Sequence, residues 1–434
     1  MSNPNDVLNL FAVPTMAIGV DRSYYQTIHP CNAIQHYGPF EFQIPANNFM
    51  VALNRTYVVF EMRICKADGT ALNHGAVAAD KVKVSPVQYV GSSMFSQVKM
   101  YLHGHEVSDV QNYGYRGYME HELHLSQEMK ETMLQMTGYA KEVPDANGSL
   151  DNEANTGFVS RGELLFNGHW VEYVSRLHLD MCQQNKLLLP LIDVRFLFVR
   201  ATDNFLLKCY KAGSTENYRV EVRNIRLLWK VVEPSKDMVI ALEDTLVRAA
   251  CRYSINRTEV RTLNIPVSVT KTPENILSTG QLPQLVIVGI VPAVGYNGDY
   301  THTPYFFNNY KIRHVSIVAA GVPFPTRTRD LNYNAGTYVE AFIDLYKNLS
   351  LTDSQDSNGL DMKSFKHFHN FYAFDLTPFQ TPDGSFSLPQ SGSVSLEIDF
   401  MTAVSQELTA IVYMVYNSMV LIDRYRNIFK NFKS

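Results

Sequence analysis

The stretch VKMYLHG at residues 98–104 decides the fold, because a second stretch, VSIVAAG at residues 315–321, repeats its pattern. In both stretches a glycine stands six residues after the first valine, and a second short apolar run follows that glycine. The apolar residues Val98, Met100 and Leu102 alternate with polar or amphipathic ones, which is typical of a strand with one buried face. Gly104 and Gly321 therefore predict a hairpin turn that occurs once in each half of the chain.

Four further pairs of short signatures occur in the same order in the two halves. Each of the two tyrosine motifs also has a leucine seven residues after the tyrosine. Five collinear pairs about 200 residues apart predict two copies of one domain, since each copy is long enough to bury its own core. The four pairs are Ile44-Pro45 with Ile265-Pro266, Tyr118-Met119-Glu120 with Tyr338-Val339-Glu340, Asp180-Met181 with Asp375-Leu376, and the alternating strands that end at Phe196 and Phe400.

The chain between these signatures predicts mostly strands, with one helical stretch after the hairpin in each copy, at 115–136 and 336–349. A change of phase in the apolar pattern near Asn224 predicts a β-bulge. For the second copy the pattern identifies seven strands and leaves the eighth unassigned. The predicted strands lie at 38–45, 55–66, 96–103, 105–110, 171–181, 190–200, 204–210 and 218–232 in the first copy, and at 258–266, 283–292, 311–320, 321–325, 370–377, 393–402 and 407–423 in the second.

Strands with one apolar face must cover that face, so these strands belong to sheets packed face to face. Eight antiparallel strands in two sheets, joined by long loops such as 137–169 and 350–369, describe a jelly roll. We therefore predict an all-β double jelly roll: two tandem eight-stranded antiparallel β-sandwiches with short helices in the connecting loops. The predicted order is an N-terminal arm (1–37), jelly roll 1 (38–232), an inter-roll linker (233–257), jelly roll 2 (258–423) and a basic C-terminal tail (424–434).

The composition disfavours several classes of protein. The 434 residues are 46% hydrophobic and 18% charged, with a net charge of -4, so the strongly basic surface of a direct nucleic-acid binder is not expected. Five scattered cysteines predict neither a disulfide scaffold nor a zinc site, and indicate folding in a reducing compartment. The first residues predict no signal peptide, and the longest apolar run, 285–294, is too short to span a membrane.

No motif for catalysis or cofactor binding is predicted. The HELH sequence at 121–124 has one residue too few between its histidines for a metalloprotease, so we interpret it as a polar helix face. His103, His105, His367 and His369 are given structural roles. Asp180 and Asp375 could be paired catalytic carboxylates, but their matching positions in the two copies favour duplicated turn caps. We therefore predict that the protein is not an enzyme and has no metal or cofactor.

The remaining signature residues receive structural predictions. The motifs Tyr118-x-Glu120 and Tyr338-x-Glu340 are expected to set how each helix packs on its roll. The C-terminal tail interleaves aromatic residues with the basic residues Arg424, Arg426, Lys430 and Lys433. Two interpretations of the tail stay open: a docking strap or solvated terminus, and a contact with nucleic acid at an inner face.

Six segments of the chain form an ordered set: LNLFAVP (8–14), SMFSQVKMYLHGHEVS (93–108), YRGYMEHEL (115–123), SRLHLDM (175–181), FYAFDLTP (371–378) and VLIDRYRN (420–427). In order and over nearly the whole chain, these segments resemble the major capsid protein, or hexon, of the Polinton/Maverick and adintovirus group. The resemblance implies a double jelly roll similar to adenovirus and virophage capsid proteins, with homotrimers that form pseudo-hexameric capsomers of an icosahedral DNA-virus shell. It also implies a place in the virion capsid, synthesis in the host cytoplasm, the nucleus as a candidate assembly site, and neighbouring capsomers, penton and minor capsid proteins as partners.

Two other classes of function remain as alternatives. A tandem jelly-roll module that binds carbohydrate or a receptor would favour a secretory signal, acidic calcium loops and disulfides. A bicupin enzyme would need a clustered set of histidine and glutamate ligands in at least one roll. The sequence offers neither set of features at convincing spacing.

Overall fold

The computed structural model describes residues 19–35, 37–72, 84–210, 217–326, 330–352, 356–377 and 390–431. Its first half contains β1 (Val20–Ile28), β2 (Phe40–Ile44), β3 (Met50–Val51), β4 (Tyr57–Lys66), β5 (Ser85–Pro86), α1 (Val90–Ser93), β6 (Phe95–Leu102), β7 (His105–Gln111), α2 (Tyr113–His124), α3 (Gln127–Glu131), α4 (Thr156–Leu164), β8 (Val171–Arg176), α5 (Asp180–Gln183), β9 (Val194–Arg200), α6 (Asp203–Leu206), β10 (Leu207–Lys208) and β11 (Tyr218–Pro234). The helix α7 (Lys236–Arg248) leads to the second half. That half contains β12 (Cys251–Ile265), β13 (Lys271–Gln281), β14 (Leu285–Pro292), α8 (Ala293–Asn297), β15 (Ile312–Ala319), β16 (Val322–Phe324), α9 (Val339–Asn348), α10 (Met362–His367), β17 (Phe371–Asp375), β18 (Ser391–Phe400), β19 (Leu408–Ile422) and β20 (Ile428–Lys430).

The two halves have the same sheet topology. In the first, the sheets have the strand orders β1-β11-β4-β8 and β2-β9-β6-β7; in the second, the orders are β12-β19-β14-β17 and β13-β18-β15-β16. With the eight main strands of each half numbered along the chain, both halves have the orders 1-8-3-6 and 2-7-4-5, and all these pairs are antiparallel. This is the jelly-roll arrangement, so the prediction of a double jelly roll is confirmed.

The same hairpin turn joins the fourth and fifth strands of each roll. His103 and Gly104 have φ values of 47° and 76°, and Ala320 and Gly321 have 49° and 83°. Two successive residues with positive φ form the turn that matches the twist of paired strands, and glycine adopts such values without a steric cost. The turn thus occupies equivalent positions in both rolls.

Strand pairing corrects two of the sequence pairs: one pair lies on non-equivalent strands, and the other lies on the equivalent strands β9 and β18 but out of register. Pro45 follows the second strand of roll 1, whereas Pro266 follows the first strand of roll 2. Phe196 pairs with Met100, but the residue opposite the equivalent Ile317 is Leu396, four residues before Phe400. Both corrections have one cause: alternating strands contain similar dipeptides at many positions, and only the pairing between strands fixes the register.

The sequence missed the first strand of roll 1 and the second strand of roll 2. Strand β1 pairs with β11 at a sheet edge, and none of its residues is buried, so its sequence shows no alternation. Strand β13 contains Pro273 and shifts register twice against β18. The stretch 204–210, predicted as a strand, instead forms most of the short helix α6 and the two-residue β10.

These differences move the predicted domain boundaries. Roll 1 begins with β1 at Val20, inside the predicted arm of 1–37, and roll 2 begins with β12 at Cys251, inside the predicted linker of 233–257. The first predicted helix, 115–136, divides into α2, α3 and a 3-10 turn, because Ser126 caps a new helix. The bulge near Asn224 is confirmed by its φ of 52° and by the register shift of β11 against β4.

Candidate functional site at the junction of the two rolls

Helix α2 lies between the two rolls and is buried along almost its whole length. Every residue of α2 except His124 is buried. The ring of Tyr118 stacks on that of Tyr305 in roll 2, with 4.2 Å between the ring centroids and 8° between the ring planes. The Tyr115 hydroxyl donates to the carbonyl oxygen of Pro304 at 3.0 Å. Aromatic packing of this kind adds to the burial of apolar surface, so α2 attaches the two rolls firmly to each other.

A cluster of buried charges extends from α2 into roll 2. Arg116, which is fully buried, pairs with Glu120 at 2.8 Å and with Asp180 at 2.9 Å. From roll 2, the backbone N–H of Thr258 donates to Asp180 at 3.1 Å, and the hydroxyl of Tyr413 donates to Glu120 at 3.4 Å. Both carboxylates of the Arg116 cluster are therefore bound from both rolls.

The two carboxylates in this cluster have opposite pKa shifts. Burial would raise the pKa of Glu120, but Arg116 and His178 outweigh burial and hold this pKa far below its ordinary value. The Nδ1 atom of His178 lies 2.6 Å from Glu120 Oε2, and Gln183 donates to the same oxygen at 2.6 Å. For Asp180, burial is the larger effect and raises its pKa.

A second polar cluster joins α3 to the segment of roll 2 that precedes α10. The buried ammonium group of Lys130 donates to Glu122 Oε2 at 2.6 Å and to the backbone carbonyl of Asn358 at 2.8 Å. Tyr89 donates to the other carboxylate oxygen of Glu122 at 2.9 Å. Burial favours the neutral form of Glu122, but Lys130 lowers the pKa of Glu122 below its ordinary value. A charged pair that is closed off in this way fixes the geometry of the groups around it.

Two histidines at the junction are kept neutral by burial. His121 is buried beside the ring of His178, with 4.6 Å between the ring centroids, and burial lowers the pKa of His121 well below its ordinary value. The interpretation of HELH as a polar helix face is therefore wrong for His121. His369 lies 3.0 Å from the Tyr118 hydroxyl, and burial lowers the pKa of His369 to about 4. Among the residues that the structure describes, no group of three or more histidine, cysteine, aspartate or glutamate side chains could hold a metal ion.

The junction has one open side. A cleft of about 800 Å³ lies there, and residues of both rolls line it. Glu120 and His178 reach this cleft from roll 1, and Asn256 and Tyr413 reach it from roll 2. Glu120 therefore borders this cleft, whereas Arg116 and Asp180 do not line it.

The predicted signature residues have different environments in the two rolls. Asp375 accepts hydrogen bonds from the backbone N–H and the hydroxyl of Thr377, as a turn cap does, whereas Asp180 belongs to the Arg116 cluster. Tyr338 is buried within roll 2 against Tyr333, with 5.0 Å between the ring centroids. Glu340 is exposed, unlike Glu120. The duplicated turn cap is thus wrong for Asp180, because helix α2 supplies a buried arginine that α9 does not carry.

The C-terminal tail is attached to both rolls, because β20 pairs with β19 of roll 2 and two basic residues of the tail bind carbonyl oxygens of roll 1. Arg426 is buried, donates to the carbonyl oxygen of Pro190 at 3.0 Å and pairs with Glu243 of α7 at 2.5 Å. Lys430 donates to the carbonyl oxygen of Glu106 at 2.6 Å. These contacts favour the docking strap over an inner-face contact for both residues. Arg424 is exposed, and Lys433 lies outside the described residues.

Solved structures with similar folds match the chain over nearly its whole length. A chain of the Sputnik virophage particle has a TM-score of 0.64 and 12% identity, and covers 100% of this chain and 92% of its own length. The mavirus major capsid protein has a TM-score of 0.59 and 11% identity, over 98% and 93% of the two chains. The chain has the fold of viral major capsid proteins. The Faustovirus major capsid protein is also similar, with a TM-score of 0.55 and 9% identity over 96% and 94% of the two chains.

One curated relative is similar in sequence. The uncharacterized protein F54H12.2 of Caenorhabditis elegans is 24% identical over 419 residues, which cover 94% of this chain and 97% of the relative. No protein-family model matches the chain. Within the described residues, no helix has the length and apolar character needed to cross a membrane.

Proposed function

We propose that this protein is a structural major capsid protein, and that three copies form a pseudo-hexameric capsomer of an icosahedral viral shell. One observation carries the proposal: two rolls of identical strand order lie in one chain, and their full length is similar to viral capsid proteins. Three copies of a chain with two similar lobes produce six similar lobes around a threefold axis. Such an object has the near-hexagonal outline that covers a flat facet.

The junction between the rolls supports this function. A shell subunit must keep the angle between its two lobes constant, because neighbouring capsomers meet at every lobe. The stack of Tyr118 on Tyr305 and the Arg116 cluster both cross the junction and are buried. Buried polar groups of this kind favour one arrangement of the rolls over others, which is a benefit in specificity more than in stability.

The similarity to the mavirus capsid protein and the resemblance of the six sequence segments favour the Polinton/Maverick and adintovirus group as the lineage. On this proposal the protein is located in the virion capsid and is not an enzyme. Its partners are then further copies of itself, penton proteins and minor capsid proteins.

The trimer gives the first testable prediction. Light scattering at micromolar concentration should report about three times the chain mass of 49.3 kDa, and negative-stain images should show triangular or hexagonal particles. The physical reason is that an obligate interface of roughly 2,000 Å² or more per pair stays closed at this concentration. A stable, soluble monomer would instead favour a tandem jelly-roll binding module.

A further inference from the structure

Helices α2 and α9 occupy the same place in the two rolls, but they differ in burial. Each helix follows the fifth strand of its roll, which is β7 for α2 and β16 for α9. Of the twelve residues of α2, eleven are buried, whereas of the ten residues of α9 only Ala341 and Leu345 are buried. Roll 2 covers α2 within the chain. The corresponding outer face of α9 is open to solvent.

Two apolar residues mark this open face. When the two helices are aligned on Tyr118 and Tyr338, Val339 matches Met119 and Ile343 matches Leu123. Met119 and Leu123 are 0% exposed, but Val339 is 50% exposed and Ile343 is 44% exposed. Val339 and Ile343 are four positions apart, so they lie together on one side of α9. Single exposed apolar residues are ordinary, but a pair whose counterparts are buried indicates a face that a partner covers.

We infer that the α9 face, defined by Val339 and Ile343, packs against roll 1 of a second copy of this chain. This inference rests on the proposed trimer and identifies where its subunits meet. Around a ring of six rolls, each contact from roll 1 to roll 2 inside a chain alternates with a contact from roll 2 to roll 1 of the next chain. In the contact between two chains, α9 of roll 2 then has the position that α2 of roll 1 has in the contact within one chain.

The intrachain junction indicates which part of the second copy faces α9. The segment that covers α2 joins β14 to β15 and contributes Pro304, Tyr305 and Phe307. Its counterpart in roll 1 is the connection from β4 to β6, of which the structure describes residues 67–72 and 84–94, and Ala71 in the described part is exposed. Nearby, Gly168 approaches Ala71, and Leu164 at the end of α4 is 54% exposed. Ala71 and Leu164 are thus exposed apolar residues that this region of roll 1 offers to the α9 face, beside the exposed polar residues Lys66, Asp68 and Thr70.

A double substitution tests the inference. In Val339→Asp/Ile343→Asp, two carboxylates would be buried without partners in the contact between two chains. The trimer dissociation constant should therefore rise on the order of a hundredfold or more. The control is Ile240→Asp in α7, which is 62% exposed and lies outside the α9 face. Sedimentation should report a monomer for the double variant and a trimer for the control. The far-UV circular dichroism of the two proteins should be the same, which shows that both rolls are folded, while the melting temperature of the double variant should be lower because it has lost the stabilisation by association.

The oligomeric states of the wild type and the double variant distinguish this inference from the capsomer proposal. If the wild-type protein is a trimer and the double variant stays a trimer with unchanged affinity, the inference is wrong while the capsomer proposal stands. If the wild-type protein itself is a monomer, the capsomer proposal fails first. Hydrogen exchange of the wild-type trimer is a second measurement that needs no variant: diluting it to monomers should speed exchange of the amides in α9 and leave α7 unchanged. Equal exchange of α9 in trimer and monomer would also overturn the inference.

Discussion

Replacing Arg116 by methionine should lower the free energy of unfolding by about 3–5 kcal/mol, because two buried carboxylates lose their shared cation. Arg116 pairs with Glu120 and with Asp180, and all three side chains are almost inaccessible to water. Methionine fills much of the same volume, so the loss reports on charge more than on a cavity. Urea unfolding at pH 7.5 measures the change.

A control variant and the pH dependence of stability show whether the effect of Arg116→Met comes from the buried charges. Arg424→Met, at an exposed arginine, should change the free energy of unfolding by less than about 0.5 kcal/mol. Burial already raises the pKa of Asp180 while Arg116 opposes that rise, so without Arg116 this pKa rises further and the folded variant takes up a proton more readily than the unfolded one. The deficit of Arg116→Met should therefore shrink between pH 7.5 and pH 5. A deficit below 1 kcal/mol, or one that does not change with pH, would contradict the assignment of a charge cluster.

Acidification from pH 7.5 to pH 4.5 should cost the native state about 2–3 kcal/mol through His369 alone. Burial lowers the pKa of His369 to about 4, whereas an unfolded histidine has a pKa of about 6.5. Below pH 6.5 the unfolded chain therefore binds a proton that the folded chain does not bind. Stability falls as the pH falls through 6.5 and levels off near pH 4.

Thermal unfolding across this pH range measures the effect. His369→Gln should flatten the dependence. Glu122 and Asp361 oppose the loss because they favour protonated His369, while Lys130 adds to it. His121 acts in the same direction, since burial lowers its pKa as well. Identical pH slopes for His369→Gln and the wild type would contradict this role of His369.

Sequence patterns predicted those parts of the fold in which one face is buried and the other is not. Strand β18 is such a case, because Val394, Leu396 and Ile398 are buried and alternate with less buried residues. Strand β1 has no buried residue, and in β14 every residue after Leu285 is buried, so neither shows a period of two. The former was missed, and the latter was found only as a continuous apolar run.

The candidate site was less predictable than the fold. The sequence singled out Tyr118, Glu120 and Asp180 because they recur, but it gave them the same role in both rolls. Arg116, which joins Glu120 to Asp180, lies four residues before Glu120 on the helix and has only Gly336 at the matching position of roll 2. That spacing is a signal for an ion pair on a helix. Whether the pair is buried depends on roll 2 covering α2, which no local pattern encodes.

The pairing of β1 with β11 affects how the chain folds while the ribosome synthesises it. Val20 pairs with Pro234, so the first strand of roll 1 has no partner until more than two hundred further residues have been translated. At about 5–20 residues per second, this wait lasts on the order of tens of seconds. Roll 1 therefore closes late, through contacts of high sequence separation, and folds slowly for its size. During that interval the strand VDRSYYQTI stays without its partner in the nascent chain.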